Sequence, residues 1–532
     1  MKTFKSILIA LVAVLALSVA GMLWILGNFH IVGFRLYPKN AEVLDLRRQD
    51  ISVSLYEKLA EKMPDTEIRW DVPFQNGTLA YDAEEVSVET LSNADVKILC
   101  LLKNLKTVHA TDCRDYEALY NLHQLRPQVD VRYSIHFSGD SYAWDMQEVV
   151  LSGVAEEDIH LLKHLPNLKT VALNPGEYDQ KTVEALRGTV HNMGLEFGLV
   201  LGGKLYQDGE TKLKLEAVTD GELNLLPYFF ELKQLHLVNP AADPEAVFAL
   251  EDAYPGVKIS WEVELCGETY DPETTEVDLS KVVVEDLEEI EQRMRYLPKA
   301  EKLILGLCGI DEPKWGNSKT KNLAASAIEN EILSEYRDRV REDYKVVWTV
   351  RLGPSIALRT DADNFMPNHY GVGQLPDSYA YNLRYCEDMV CLDVGHMTLT
   401  DISFVEFMPK LKYLILAWTE VKYIEPIRTC KNLVFLELDN SCIRDYSPLV
   451  DCTALEDLNI GKTFCDITPI LEMTWLKNLW MIFGSGASAY KASQALPDTR
   501  VIASGDATVG SGWRRLPNYY DMRDCLGVPY MN

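Results

Sequence analysis

Few residues in this chain stand at spacings that perform chemistry. His160 and His164 lie at i, i+4 in IHLLKHL, a spacing that would place two metal-binding imidazoles on one face of an α-helix. No third ligand and no HExxH glutamate accompanies them, so a solvated helix face is the expected role. Asp361, Asp363 and Asn364 begin like a calcium loop, but the glycine and closing glutamate of that loop are missing. Gly484, Gly486 and Lys491 do not meet the G-x-x-x-x-G-K-[ST] spacing that cradles a phosphate. There is no G-x-S-x-G turn to expose a serine nucleophile and no CxxC pair for zinc or dithiol exchange. His369 and Tyr370 stand in a Gly/Pro/Asn-rich stretch, 360–376, without a partner set. The expectation is therefore no catalytic residues, no cofactor and no metal.

The elements that carry these residues are more informative. From Leu411 to Met481 the pattern L-x-x-L-x-L recurs at Leu411/Leu414/Leu416, Leu433/Leu436/Leu438, Leu455/Leu458/Ile460 and Leu476/Leu479/Met481, in steps of 22, 22 and 21. Met389/Leu392/Val394 fits one step earlier. A period of about 20–29 with this pattern is the mark of a leucine-rich repeat solenoid. A longer repeat precedes it. The segments 66–88, 129–151, 193–215 and 257–279 start 63, 64 and 64 residues apart and share an aromatic (Trp70, Tyr133, Phe197, Trp261) and a glycine (Gly77, Gly139, Gly203, Gly267). Apolar pairs at Val129/Val131, Val149/Leu151, Val171/Leu173 and Met193/Leu195 divide this unit into three turns, one of them atypical. Period-2 alternation in each pair reads as a short strand. Strands about 22 residues apart would stack in parallel as one long sheet, with helices between them on the convex side. The glycines suit a turn with positive φ.

The step from Trp261 to the matching Trp348 is 87 residues, 23 more than 64. The excess lies near 311–341, polar at first and then a charged helix, and loops in repeat arrays often serve binding.

The segment Leu433-x-x-Leu436-x-Leu438-x-x-Ser441-x-Ile443, followed by Asp445-Tyr446-Ser447-Pro448-Leu449, resembles the 22-residue repeats of internalin-type bacterial surface proteins. Asp466-Ile467-Thr468-Pro469-Ile470 repeats the second part. The family's asparagine-ladder position is occupied here by Met397, Thr419, Ser441 and Thr463. No sortase signal follows Leu496-Pro497-Asp498-Thr499. The resemblance implies an extracellular, cell-surface protein of bacterial type that binds a protein or other surface ligand.

Ser6 to Gly27 holds no charged residue, which is long enough to span a bilayer as a helix, and Lys2 and Lys5 favour a cytoplasmic N-terminus. The alternative is a cleaved signal peptide ending at Ser18-Val19-Ala20. A net charge of -28 excludes the basic footprint of a nucleic-acid binder. The 11 cysteines show no framework spacing, although Cys430 and Cys452, 22 apart, would stack on adjacent turns.

The expected organisation is an α/β repeat solenoid with a parallel concave sheet and an N-terminal transmembrane helix. Its parts are a cytoplasmic tail (1–5), a signal anchor (6–27), an N-terminal cap (28–63), degenerate repeats (64–310), an insertion-bearing repeat (311–388), regular repeats (389–482) and a C-terminal cap (483–532). The helix read at 53–63 should stop at Pro64. In L-x-x-L-x-L the intervening residues leave the core for the concave surface. The expected ligand contact there is Tyr413, Trp418, Phe435, Glu437, Asp439, Asn440, Lys462 and Trp480, with Glu437 facing solvent. Aromatics beside acids and amides resemble a recognition surface, unless the C-terminal cap covers them. Three readings follow: a non-catalytic binding module held at a bacterial membrane, an envelope spacer without a ligand, or an enzyme with its site in the 311–381 insertions.

Overall fold

The computed structural model describes residues 2–284, 286–308, 325–326, 330–353, 356–370, 373–505 and 512–530. The chain divides into two compact units, Met1–Ile259 and Ser260–Asn532.

In the first unit, Lys2–Asn28 is one helix, and its stretch Lys5–Asn28 is long and apolar enough to cross a membrane. The helix Val53–Lys62 starts where the Ser52 hydroxyl accepts the Leu55 amide hydrogen and ends two residues before Pro64. Beyond it, parallel strands recur: Glu85–Ser87, Thr107–His109 and Asp130–Arg132, then Glu148–Leu151, Thr170–Leu173 and Glu196–Leu201. Their centres, such as Val86, Val108 and Val131, are buried.

Among the described residues these strands do not join into one long sheet. Hairpins interrupt the array: Val72–Phe74 with Gly77–Leu79 after Glu67–Arg69, Ser134–Phe137 with Asp140–Ala143 after Asp130–Arg132, and Glu196–Leu201 with Lys204–Gln207. Where the return strand pairs with the third strand itself, as Lys204–Gln207 does, its antiparallel hydrogen bonds occupy the edge that the next parallel strand would need. The sheets are therefore short and separate. Ser138-Gly139, Gly202-Gly203 and Cys266-Gly267 form the two-residue hairpin turns, with positive φ at both positions. Gly77 departs from this expectation: it opens the return strand, and Gln75 takes the positive φ. A second departure is Met193, which caps the helix Gln180–Asn192; the strand starts at Glu196, so Val171 pairs with Phe197. The recurrent aromatics Trp70, Tyr133 and Phe197 are core residues.

In the second unit, Glu276–Leu279, Lys302–Cys308 and Lys345–Arg351 are parallel, and Ala357–Arg359 returns antiparallel on the last. Trp261 and Trp348 are buried, and their indole N–H groups donate to the Tyr296 carbonyl and the Asn330 side chain. The charged helix expected in the insertion is Asn330–Val340; residues 309–324 and 327–329 of that insertion lie outside the described residues.

A seven-stranded parallel sheet follows: Asn364–Phe365, Cys391–Asp393, Tyr413–Ile415, Phe435–Glu437, Asp457–Asn459, Asn478–Trp480 and Arg500–Ile502. Leu392, Leu414, Leu436, Leu458 and Leu479 align across it, each fully buried. Between strands the chain makes short 3-10 turns, Ser403–Phe407, Glu425–Thr429, Ser447–Asp451 and Thr468–Glu472, rather than α-helices. Asp445 and Asp466 cap two of these turns by accepting the backbone N–H of Ser447 and Thr468. At the ladder position Thr419 and Ser441 donate their hydroxyls to the carbonyls of Leu416 and Leu438, each at 2.7 Å, while Met397 is simply buried.

Candidate functional site

Each regular turn leaves its strand in the same way. His396, Trp418, Asn440, Lys462 and Phe483 all have φ between 54° and 63°. The N–H groups of His396, Trp418, Asn440 and Lys462 donate to the carbonyls of Ala417, Asp439, Gly461 and Ile482 one turn on, each at 2.8–2.9 Å. The left-handed backbone is what aims those N–H groups at the next turn. Gly461 lies against this column for a steric reason: a Cβ there would meet Asp439 Oδ1 at 2.4 Å.

These five side chains form a ledge along one end of the strands. The rings of His396 and Trp418 stack at 5.7 Å, and Lys462 Nζ lies 4.8 Å from the Trp418 ring centroid and 5.7 Å from that of Phe483. Asn440 stands between Trp418 and Lys462 in this column. Trp418 is 49% exposed and Phe483 55%. Asp439 is buried beneath the ledge, 3.7 Å from Lys462 Nζ. Burial holds its carboxyl above the usual range, opposed by the Lys462 ammonium and the Trp418 indole.

The face of the sheet opposite the leucines is different. There the C-terminal segment covers the strands: Trp513, Leu516, Tyr519, Met522, Leu526 and Val528 pack on Cys391, Ile415, Phe435 and Trp480. The Trp513 ring lies 4.6 Å from Phe435 and 5.3 Å from Trp480. Its indole N–H donates to Glu437 Oε2 at 2.8 Å, and Asn518 donates to Asp457 at 3.0 Å. Three buried carboxylates share this covered face. Burial pushes the Glu437 carboxyl up to about 7 and raises those of Asp393 and Asp457.

The eight expected contact residues are thus split. Phe435 and Trp480 are fully buried, and Glu437 does not face solvent; it accepts a hydrogen bond in the covered core. Tyr413 packs against the same cluster. Trp418, Asn440 and Lys462 lie together on the ledge, with Asp439 beneath. His396 and Phe483 complete the ledge, and their spacing of 22, 22, 22 and 21 from 396 to 483 was the available signal. The covering segment also had one: apolar residues at 513, 516, 519, 522 and 526 keep a helical spacing.

The remaining candidates do not assemble. His160 and His164 sit in a 3-10 turn, Glu156–His164, where residues four apart no longer share a face. His164 is buried rather than solvated, against Tyr120. Asp361 is paired with Arg359 at 2.6 Å. His369 and Tyr370 fall in the 3-10 turn Pro367–Tyr370. Among the described residues no three His, Cys, Asp or Glu side chains converge to hold a metal ion.

The array is a leucine-rich repeat solenoid. That assignment rests on the parallel 22-residue register and the aligned leucines. No protein-family model matches the chain, and no curated protein matches it. Among solved structures, internalin C2 from Listeria monocytogenes is 16% identical over 48% of this chain and 92% of its own, with a TM-score of 0.22. The internalin inlF from the same organism is 13% identical over 81% and 90%, with a TM-score of 0.24. A leucine-rich repeat protein of Leptospira interrogans is 14% identical over 78% and 93%, with a TM-score of 0.23. Internalins are thus among the similar structures, and likeness at this level adds no detail of function.

Proposed function

We propose that this chain is a non-catalytic binding module of a bacterial cell surface, held by residues 6–27, with a protein contact on the ledge of His396, Trp418, Asn440 and Lys462. One observation carries this reading. A left-handed backbone favours Gly or Asn, and a bulky residue there costs about 1–3 kcal/mol. Only Asn440 obeys that preference; His396, Trp418, Lys462 and Phe483 do not, and the two aromatics Trp418 and Phe483 are about half exposed. Strained, exposed aromatics around a cation suit recognition better than they suit folding. The stacked rings offer apolar area, and Lys462 with buried Asp439 offers a fixed dipole for a partner's polar groups.

The covered sheet face favours the alternative, an envelope spacer with no ligand. One experiment separates the two. The full-length protein in detergent is immobilised and challenged with bacterial-envelope and host-surface extracts, beside Trp418→Asn and the control Tyr423→Ala, whose exposed ring lies off the ledge. The binding reading expects a partner retained by wild type and by Tyr423→Ala, and lost with Trp418→Asn. Equal retention by all three moves the contact elsewhere, and no retention by any supports the spacer. For the anchor, the expected result is that carbonate-washed membranes keep a chain with its N-terminus intact. A soluble chain starting at Gly21 would make residues 1–20 a signal peptide.

A further inference from the structure

We propose that Cys391 and Cys525 form a redox-active pair whose disulfide locks the C-terminal helix onto the covered sheet face. Cys391 lies in the strand Cys391–Asp393, fully buried, on the face opposite Leu392. Its Sγ donates to the Met522 carbonyl at 3.8 Å. Met522 and Cys525 belong to one helix, Pro517–Cys525, three residues apart. In an α-helix the side chain at i+3 stands beside the carbonyl of residue i. Cys525 packs against the buried cluster that contains Cys391, so the helix brings the two thiols together.

The two cysteines are not equivalent. Cys525 is partly exposed, and Cys391 beside it holds its thiol below the usual range; Asp363 opposes and Lys412 assists. Burial pushes the Cys391 thiol up, with Asp393 adding to the effect and Arg523 opposing it. The accessible, more acidic thiol reacts first and the buried one resolves. The Cys525 thiolate attacks a small disulfide such as glutathione disulfide, forms a mixed disulfide and expels one thiol. Cys391, in a core that water does not reach, then attacks the Cys525 sulfur and passes its proton to the departing sulfur, so the second thiol leaves. Two protein thiols are oxidised, and one external disulfide is reduced to two thiols.

Cys430 and Cys452, which the 22-residue step stacks on adjacent turns, are buried and donate to the Val405 and Ile427 carbonyls. Cys391 and Cys525 are 134 positions apart, so their bond would tie the strand near the start of the regular array to the segment that covers it. Phe435, Glu437 and Trp480 would then stay covered as long as the bond lasts.

The test uses the reduced full-length protein, equilibrated with glutathione disulfide, alkylated and mapped by mass spectrometry. The expected product is one linked peptide pair, Cys391 to Cys525, in nearly all molecules. Hydrogen exchange across 513–528 should slow about tenfold or more on oxidation. Cys391→Ala should instead accumulate glutathione on Cys525, because the resolving thiol is gone. The proposal is overturned if both thiols of wild type remain alkylatable, if Cys525 keeps glutathione, or if either links elsewhere. Should Cys391→Ala fail to fold, the wild-type map alone decides.

Discussion

The covered sheet face and the ledge beside it are built from neighbouring columns of the same repeats, yet they have opposite fates. Both set aromatics next to acids. On the face, Phe435, Glu437 and Trp480 disappear beneath residues 513–528. On the ledge, Trp418 and Phe483 stay half exposed around Lys462. The repeat decides which residues leave the leucine core. A segment tens of residues away decides which of those meet water. The face then serves stability, and the ledge carries the proposed contact.

The largest effect is expected from the leucine column that both regions share. Leu436→Asp buries a charge with no partner between stacked strands, at a cost of roughly 3–5 kcal/mol. Chemical denaturation should show the second unit unfolded or severely weakened. A stability close to wild type would place Leu436 outside the core and break the register that defines face and ledge.

A medium effect belongs to the covered acids. Glu437 titrates near 7 in the folded chain, against 4.5 for an unperturbed glutamate. Between those values the folded chain keeps a proton that the unfolded chain has lost, so stability falls as pH rises from about 4.5 to 7 and stays lower above that. Asp393 and Asp457, also raised by burial, add slope of the same sign. Glu437→Gln should remove part of that slope and stabilise the protein at pH 8 by roughly 1–3 kcal/mol. Denaturation curves at pH 5 and pH 8 check this; an unchanged slope in the variant would mean that the carboxylate is solvated and the face open.

The smallest effect on stability, and the largest expected on binding, is at Trp418. Trp418→Asn relieves the left-handed strain, as Asn440 already does one turn on, and should be neutral or stabilising by up to about 1 kcal/mol. A loss of several kcal/mol in a thermal melt would make Trp418 a packing residue and erase the contrast with Trp480.

Much of this fold was legible in the residues. The L-x-x-L-x-L steps located the strand centres Leu414, Leu436, Leu458 and Leu479, because one buried side chain per short strand leaves a strict period. The hairpins of the longer repeat were missed as sheet breakers, although Ser138-Gly139 and Gly202-Gly203 are two-residue turn signals. Reading those glycines as turns, without the return strand each implies, left one continuous sheet as the expectation. His160 and His164 misled because i, i+4 has meaning only in an α-helix, and Glu156–His164 is wound more tightly. The burial of Glu437 was not legible from its repeat. It depends on Trp513, 76 positions away, whose partner no local pattern names.

The separation of covered face from exposed ledge is tested most directly by oxidative footprinting of the full-length protein, read by mass spectrometry at single aromatic residues. Trp418 and Phe483 should be modified quickly, and Phe435, Trp480 and Trp513 should be protected by tenfold or more, about what full burial gives. Modification of Phe435 and Trp480 at the rate of Trp418 would show the face open to solvent and contradict the account.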